Sequence, residues 1–181
     1  IDDLRQGALD DAARANAGAV ELQFRDRLPT VERLNSGCGA AGLADSIDAL
    51  PPMDLIVVDS YAALAQGRLP LAEELATAVI GLKTLALDKS VAILCTAPLP
   101  NLTERADRRP TLDDFGALGS VKQYADVVLG LFRPDMYEPS REIAGATELV
   151  VRKNRNGPTG YVDLYFYAQW MRFEDMLDPD R

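Results

Sequence analysis

Leu55-Ile56-Val57-Val58-Asp59 is a short aliphatic run that ends in an acid, and its reading decides the fold. Without polar alternation, such a run predicts a strand buried on both faces, as in a parallel sheet. Pro70 then opens a helix in which Leu71, Leu75, Val79, Leu82 and Leu85 recur at helical spacing, with Glu73, Glu74 and Lys83 off that stripe. Val91-Ala92-Ile93-Leu94 follows as a second buried strand. Strand, helix and strand in this order form a crossover unit, so the expected class is α/β.

Working outward, Asp10-Asp11 begins a helix expected to run to about Phe24, with its acids at the favourable end. Leu43 to Leu50 predicts a short helix closed by Pro51-Pro52. Pro98 to Gly119 is polar and proline-bearing, a long loop of the functional or mobile kind. Val127 to Phe132 predicts a third buried strand, and Arg133 to Gly145 a further loop. Glu148 to Arg152 and Tyr161 to Phe166 predict a hairpin around Asn156-Gly157. Residues 1–181 are expected to form one domain. The aromatics Tyr165 to Tyr167, Trp170 and Phe173 suit a core or a sheet face, with base stacking as the alternative. Glu174 to Asp180 suits a solvated end.

Composition narrows the chemistry. The 181 residues contain no histidine and two distant cysteines, Cys38 and Cys95. That removes the usual zinc spacings and any histidine-activated nucleophile. Reduced, partly buried cysteines suit a cytoplasmic protein. No apolar run is long enough to span a bilayer, so no membrane partner is expected. A net charge of −9 argues against strong nonspecific binding of nucleic acid by the chain as a whole, which leaves local basic clusters to do any such work.

Two places could carry phosphate chemistry. An acid at the carboxyl end of a parallel strand points into the crevice where α/β proteins bind ligands, and Asp59 is so placed; the competing reading is an acid that caps the next loop. In Arg152-Lys153-Asn154-Arg155-Asn156-Gly157-Pro158-Thr159-Gly160, Lys153 and Arg155 leave a strand end on the same face beside a Gly-Pro turn. Two fixed cations suit a polyphosphate, while a solvated hairpin tip is the plainer alternative. Gly37-Cys38-Gly39-Ala40-Ala41-Gly42 fits the glycine pattern of a dinucleotide-binding turn, but Thr30 to Leu34 makes a poor first strand for it.

Several stretches, in order, resemble the C-terminal motor of DnaB-type replicative DNA helicases. They are Leu4 to Leu9, the strand ending at Asp59, Arg105-Ala106-Asp107-Arg108-Arg109-Pro110, Gly119-Ser120-Val121-Lys122-Gln123-Tyr124-Ala125-Asp126, and Lys153 to Gly160. The resemblance implies a RecA-like core of the phosphate-loop NTPase type, with a largely parallel sheet flanked by helices and a C-terminal β-hairpin. It implies ATP and Mg as cofactors and a homo-oligomeric ring of six subunits that translocates on single-stranded DNA, with other replication proteins as further partners. Asp59 would face the subunit's own Mg-ATP, with the metal held through a water. Lys153 and Arg155, beside Gly157, would reach the γ-phosphate of the next subunit. Arg105, Arg108, Arg109, Gly119 and Lys122 would lie near the DNA.

The chain also departs from that pattern. No Gly-x-x-x-x-Gly-Lys-[Ser/Thr] occurs in it, so an incomplete motor domain that is inactive by itself is expected. Ala97 stands where the family has a glutamine thought to sense the γ-phosphate, and Gly116 where it has an arginine. A catalytically inactive module for assembly or partner binding is therefore the second expectation.

Overall fold

The structure is a computed structural model, and it describes residues 9–25, 29–139 and 143–176. Helix α1 (Asp11–Phe24) starts where expected, with the Asp10 carboxylate accepting the Ala13 amide at 2.7 Å. Its Val20 and Leu22 are exposed. Helix α2 (Gly39–Asp48) begins four residues before its predicted start. It follows irregular backbone and not a strand, so the glycine run at 37–42 lacks the strand-to-helix setting of a dinucleotide site. The expectation for Leu4 to Leu9 falls mostly outside the described residues.

Strand β1 (Leu55–Val58), helix α3 (Leu71–Lys89) and strand β2 (Ala92–Cys95) form the expected unit, with β1 and β2 parallel and Leu55 opposite Ala92. Helix α3 ends at Ser90 in the left-handed conformation, whose amide closes the last turn on the Ala86 and Leu87 carbonyls. The core gathers here: Leu43 of α2, Ile56 and Val58 of β1, and Ala78, Leu82 and Leu85 of α3 pack together. Each fully buried leucine contributes about 1.5–3 kcal/mol. Gly81 lets α2 come close, because a Cβ there would lie 2.4 Å from the Ala40 Cβ.

Two expectations are corrected. Strands β1 and β2 are buried on one face only: Ile56 and Val58 point inward, while Leu55, Val57 and Leu94 are exposed. The aliphatic run therefore reflects two apolar faces of which this structure covers one. The sheet is also not largely parallel. Beyond the β1–β2 pair, an antiparallel four-stranded sheet holds β3 (Val127–Phe132), β4 (Ala146–Asn154), β5 (Gly160–Tyr167) and β6 (Arg172–Asp175) in that order. Strand β3 looked like the parallel strands before it, but it pairs with the hairpin, Val128 opposite Lys153 and Phe132 opposite Glu148. The continuous aliphatic run misleads here, because Val127, Leu129 and Leu131 are exposed and β3, like β1 and β2, is buried on one face only.

The segment 98–119 is more regular than a mobile loop. It contains single-turn helices at Leu112–Phe115 and Ala117–Gly119, then the short helix α4 (Ser120–Tyr124). Helix α3 packs against both of the last two. Pro110 is fully buried and sits on Gly130 of β3, where a Cβ would lie 2.9 Å from the proline ring. Ion pairs tie the segment down as well. Arg105 donates to both oxygens of Asp114 at 2.7 Å, and Asp114 accepts the Thr111 amide and hydroxyl. Among the described residues, no helix is long and apolar enough to cross a membrane.

Candidate nucleotide and DNA sites

Asp59 lies just beyond the carboxyl end of β1 and is exposed. Its Oδ1 accepts the Thr96 hydroxyl at 2.5 Å, and Thr96 follows β2, so the two parallel strand ends supply the two groups. The Thr96 amide donates to the Val58 carbonyl at 3.0 Å, and the Tyr61 amide to the Thr96 carbonyl at 3.2 Å. Cys95, next to this pair, has its thiol pushed up to about 11 by burial, which keeps it neutral and unreactive. Ala97 packs against the core and offers no side-chain polar group where a glutamine was the family pattern. Among the described residues no cluster of three ligating side chains could cage a metal ion.

Lys153 and Arg155 sit in the other sheet, at the end of β4. They do meet, as their alternation predicts: Lys153 Nζ donates to the Gln123 carbonyl at 3.3 Å and the Arg155 guanidinium to the same oxygen at 3.5 Å. Lys153 also donates to the Lys122 carbonyl at 2.7 Å, so it closes the open C-terminal carbonyls of α4. Desolvation, then the nearby Arg155 charge, hold its ammonium below the usual lysine range. Arg155 Nε lies 3.2 Å from Asp126. Among the described residues no hydrogen bond or ion pair links either cation to Asp59.

The hairpin tip is shaped by Asn154. Its carbonyl oxygen accepts the Asn156 amide at 3.3 Å and its amide donates to the Pro158 carbonyl at 3.3 Å. Gly157 fits because a Cβ would come within 2.6 Å of that side chain. Its glycine thus has a steric reason independent of any ligand. Arg152, one residue before Lys153, donates from Nε to the Pro110 carbonyl and ties the hairpin to the 98–119 segment.

The arginines expected near DNA are each engaged within the chain. Arg105 is paired with Asp114, and Arg108 with Glu138 at 2.7 Å while lying over the Tyr137 ring. Arg109 grips both Glu148 oxygens at 2.6 Å and stacks on Phe132. The Glu148 hydrogen bonds push the Arg109 guanidinium further into its charged form. Lys122 is different: it is well exposed and lies 3.6 Å from an exposed Asp113. Gly119 has φ +79° and opens α4 with its amide facing the Gly116 carbonyl at 3.1 Å. Gly116 has φ +62° and ψ −137°, a conformation that an arginine would rarely adopt. The departure at 116 therefore comes with a locally different loop, and Ala117 and Leu118 also take positive φ.

Sequence reasoning missed two participants. Glu74, placed off the apolar stripe, is buried and accepts the Gly67, Arg68 and Leu69 amides at 2.5–2.9 Å. Those amides hold its carboxyl below the usual range. Lys83, also placed off the apolar stripe, reaches Asp126 at 2.6 Å. No local pattern signals this pair, because the two residues stand 43 positions apart.

Comparison with known proteins identifies the family and the fold. Residues 42–175 match the DnaB-like helicase C terminal domain family. The chain is 35% identical over 106 residues to the replicative DNA helicase DnaB of Pasteurella multocida (strain Pm70), covering 58% of the chain and 23% of that protein. It is 42% identical over 96 residues to that of Leifsonia xyli subsp. xyli, covering 52% and 21%. The chain thus spans about a fifth of the length of the curated relatives it matches. Two solved structures share the fold at 24% identity. One is a DnaB-like replicative helicase described with its interactions with primase (TM-score 0.68, 77% of this chain and 35% of that one). The other is described as an ATPase domain (TM-score 0.69, 77% and 52%). With the motifs, their order and this match in hand, the chain belongs to the DnaB-like helicase C-terminal domain family.

Proposed function

We propose that this chain is part of an ATP-driven motor that translocates on single-stranded DNA in a ring of six like subunits, as the family resemblance implies. The observation that carries the proposal is the pairing of Lys153 and Arg155 on one side of the hairpin tip, in a sheet separate from the one that ends at Asp59. Cations that make no hydrogen bond or ion pair with the subunit's own acid among the described residues are suited to a triphosphate held by a neighbour. There they would stabilise the charge that develops on the transferred phosphoryl oxygens.

Asp59 fits Mg²⁺ of the kind that accompanies a nucleotide. A lone carboxylate with a neighbouring hydroxyl, and no protein cage around it among the described residues, suits a hard cation that keeps waters and takes further oxygens from phosphates. Asp59 would hold the ion through a water, and the ion would supply positive charge to offset that of the phosphates. The role of Thr96 is to fix the Asp59 carboxylate by its hydroxyl.

On the DNA side, Arg105, Arg108 and Arg109 would set the loop shape through their acids, with Gly119 and Lys122 left to approach backbone phosphates. Primase, which one structural relative is described as meeting, is among the replication proteins such a motor would engage.

The test is ATP hydrolysis by the full-length gene product with and without single-stranded DNA. K153A and R155A should each lower the stimulated rate by about 10³-fold, the scale of an arginine finger. Rates unchanged by both would sink the assignment.

Ala97 favours a second reading, a RecA-like assembly module without turnover, since alanine offers the γ-phosphate no hydrogen bond. Calorimetry decides between them: a full-length product that binds no ATP supports the module.

A further inference from the structure

Three cations meet at the hairpin tip. Lys83 projects from α3, and its Nζ lies 2.6 Å from Oδ2 of Asp126. The other carboxylate oxygen, Oδ1, lies 3.2 Å from Arg155 Nε. The backbone carbonyl of Asp126 accepts the Arg155 amide at 2.8 Å. Asp126 thus holds Arg155 by backbone and by guanidinium, while Lys83 holds Asp126 from the opposite side.

The anchor of this chain is the core. Lys83 stands between Leu82 and Leu85, both buried, so its Cα is set by the packing of α3 and not by a loop. An arginine at an exposed tip samples many rotamers, and a carboxylate fixed at both oxygens limits that freedom. The hydrogen bond from Lys83, opposed by desolvation, holds the Asp126 carboxyl below the usual range, so it is ionised at neutral pH. Lys83, Lys153 and Arg155 against one carboxylate leave two positive charges for an incoming polyphosphate.

We propose that Lys83 and Asp126 are positioning residues: Lys83 fixes the Asp126 carboxylate, which in turn aims the Arg155 guanidinium at the neighbouring triphosphate. This rests on the reading of Lys153 and Arg155 as cations that act on a neighbour. An ordinary exposed ion pair of the same geometry would affect stability slightly and turnover not at all.

The experiment is DNA-stimulated ATP hydrolysis by the full-length gene product, with thermal unfolding of each variant alongside. K83M and D126N should each lower kcat by about tenfold to a hundredfold, the cost of a misplaced catalytic group, with KM little changed. K83R should retain most of the wild-type kcat. K83M combined with R155A should be no slower than R155A alone, because a positioning residue has nothing left to position. Should K83M unfold, D126N and its combination with R155A decide the matter. Wild-type kcat in K83M and D126N, with R155A impaired, would overturn this inference and leave the reading of Arg155 intact. A higher kcat in D126N would also overturn it, by making Asp126 a restraint. No effect of K153A and R155A would remove both.

Discussion

The phenol of Tyr61 donates a 3.0 Å hydrogen bond to the carbonyl of Phe115, joining the turn after Asp59 to the loop that carries Gly116 and Gly119. Both residues are buried, and burial raises the Tyr61 phenol above its ordinary range, so it remains a donor at any working pH. Tyr61→Phe removes the donor without changing the ring and leaves a buried carbonyl unpaired. The expected cost is about 1–3 kcal/mol, read as a lower urea midpoint with an unchanged far-ultraviolet spectrum. Unaltered stability would mean that water replaces the phenol.

Helices α2 and α3 approach through Gly81 and Ala40, and the two positions should behave as a pair. Gly81→Ala gains helix propensity of about 1 kcal/mol. The added Cβ would nevertheless meet the Ala40 Cβ at 2.4 Å, and overpacking of this kind costs about 1–3 kcal/mol. Net destabilisation is expected, and Ala40→Gly in the same chain should recover part of it. A double-mutant cycle in urea measures the coupling, and simple additivity would show that the helices shift apart freely.

How far the residues announce this arrangement varies along the chain. Leu55–Val58, the span of α3 and the hairpin around Asn156-Gly157 lie close to where local patterns put them, but the buried face of α3 runs through Glu74, Ala78, Leu82 and Leu85 and leaves Leu71 of the expected stripe exposed. Strand β3 illustrates the limit: its aliphatic run says that it is a strand but not that its partner lies beyond the loop at 133–145. Strand β6 was hidden in an acidic, solvent-like stretch, where Phe173 packs on Phe166 at 4.7 Å between ring centroids. At the candidate sites the residue types were legible and their neighbours were not. Lys83 and Glu74 look like solvated helix charges until the fold brings a distant carboxylate to one and a preceding loop to the other.

Arg109 and Lys122 should separate structure from nucleic-acid binding. Arg109→Ala leaves Glu148, of which only 17% is exposed, without its bidentate partner. Because the arginine itself is 45% exposed, the expected loss is discounted to about 1–2 kcal/mol. Lys122→Ala should leave stability within about 0.5 kcal/mol, as surface substitutions usually do. In the full-length gene product it should flatten the salt dependence of single-stranded DNA affinity by about 0.7 in log–log slope, one phosphate contact. Fluorescence anisotropy over a salt series checks the second expectation. A slope altered by Arg109→Ala and not by Lys122→Ala would reverse the two roles.

Acid should loosen the chain at identifiable carboxylates. Asp135 accepts from Arg133 at 2.8 and 3.2 Å and from the Gly145 amide at 3.1 Å, and the Arg133 hydrogen bond is what chiefly holds its carboxyl below the usual range. Asp114 is lowered as well: burial opposes ionisation there, but the Arg105 and Thr111 hydrogen bonds prevail. A carboxyl whose folded value lies below its unfolded one binds fewer protons in the folded state. Its stabilisation is therefore complete above the unfolded value of about 4 and is lost as pH falls through the lower, folded value. Between neutral pH and pH 5 the urea midpoint should owe little change to these two groups, and below about pH 4 it should fall steeply. Asp135→Asn removes one titrating group, so it should lower stability at neutral pH while flattening the acid limb. Parallel curves for wild type and variant across the acid range would show that Asp135 contributes nothing to that limb, whatever its hydrogen bonds.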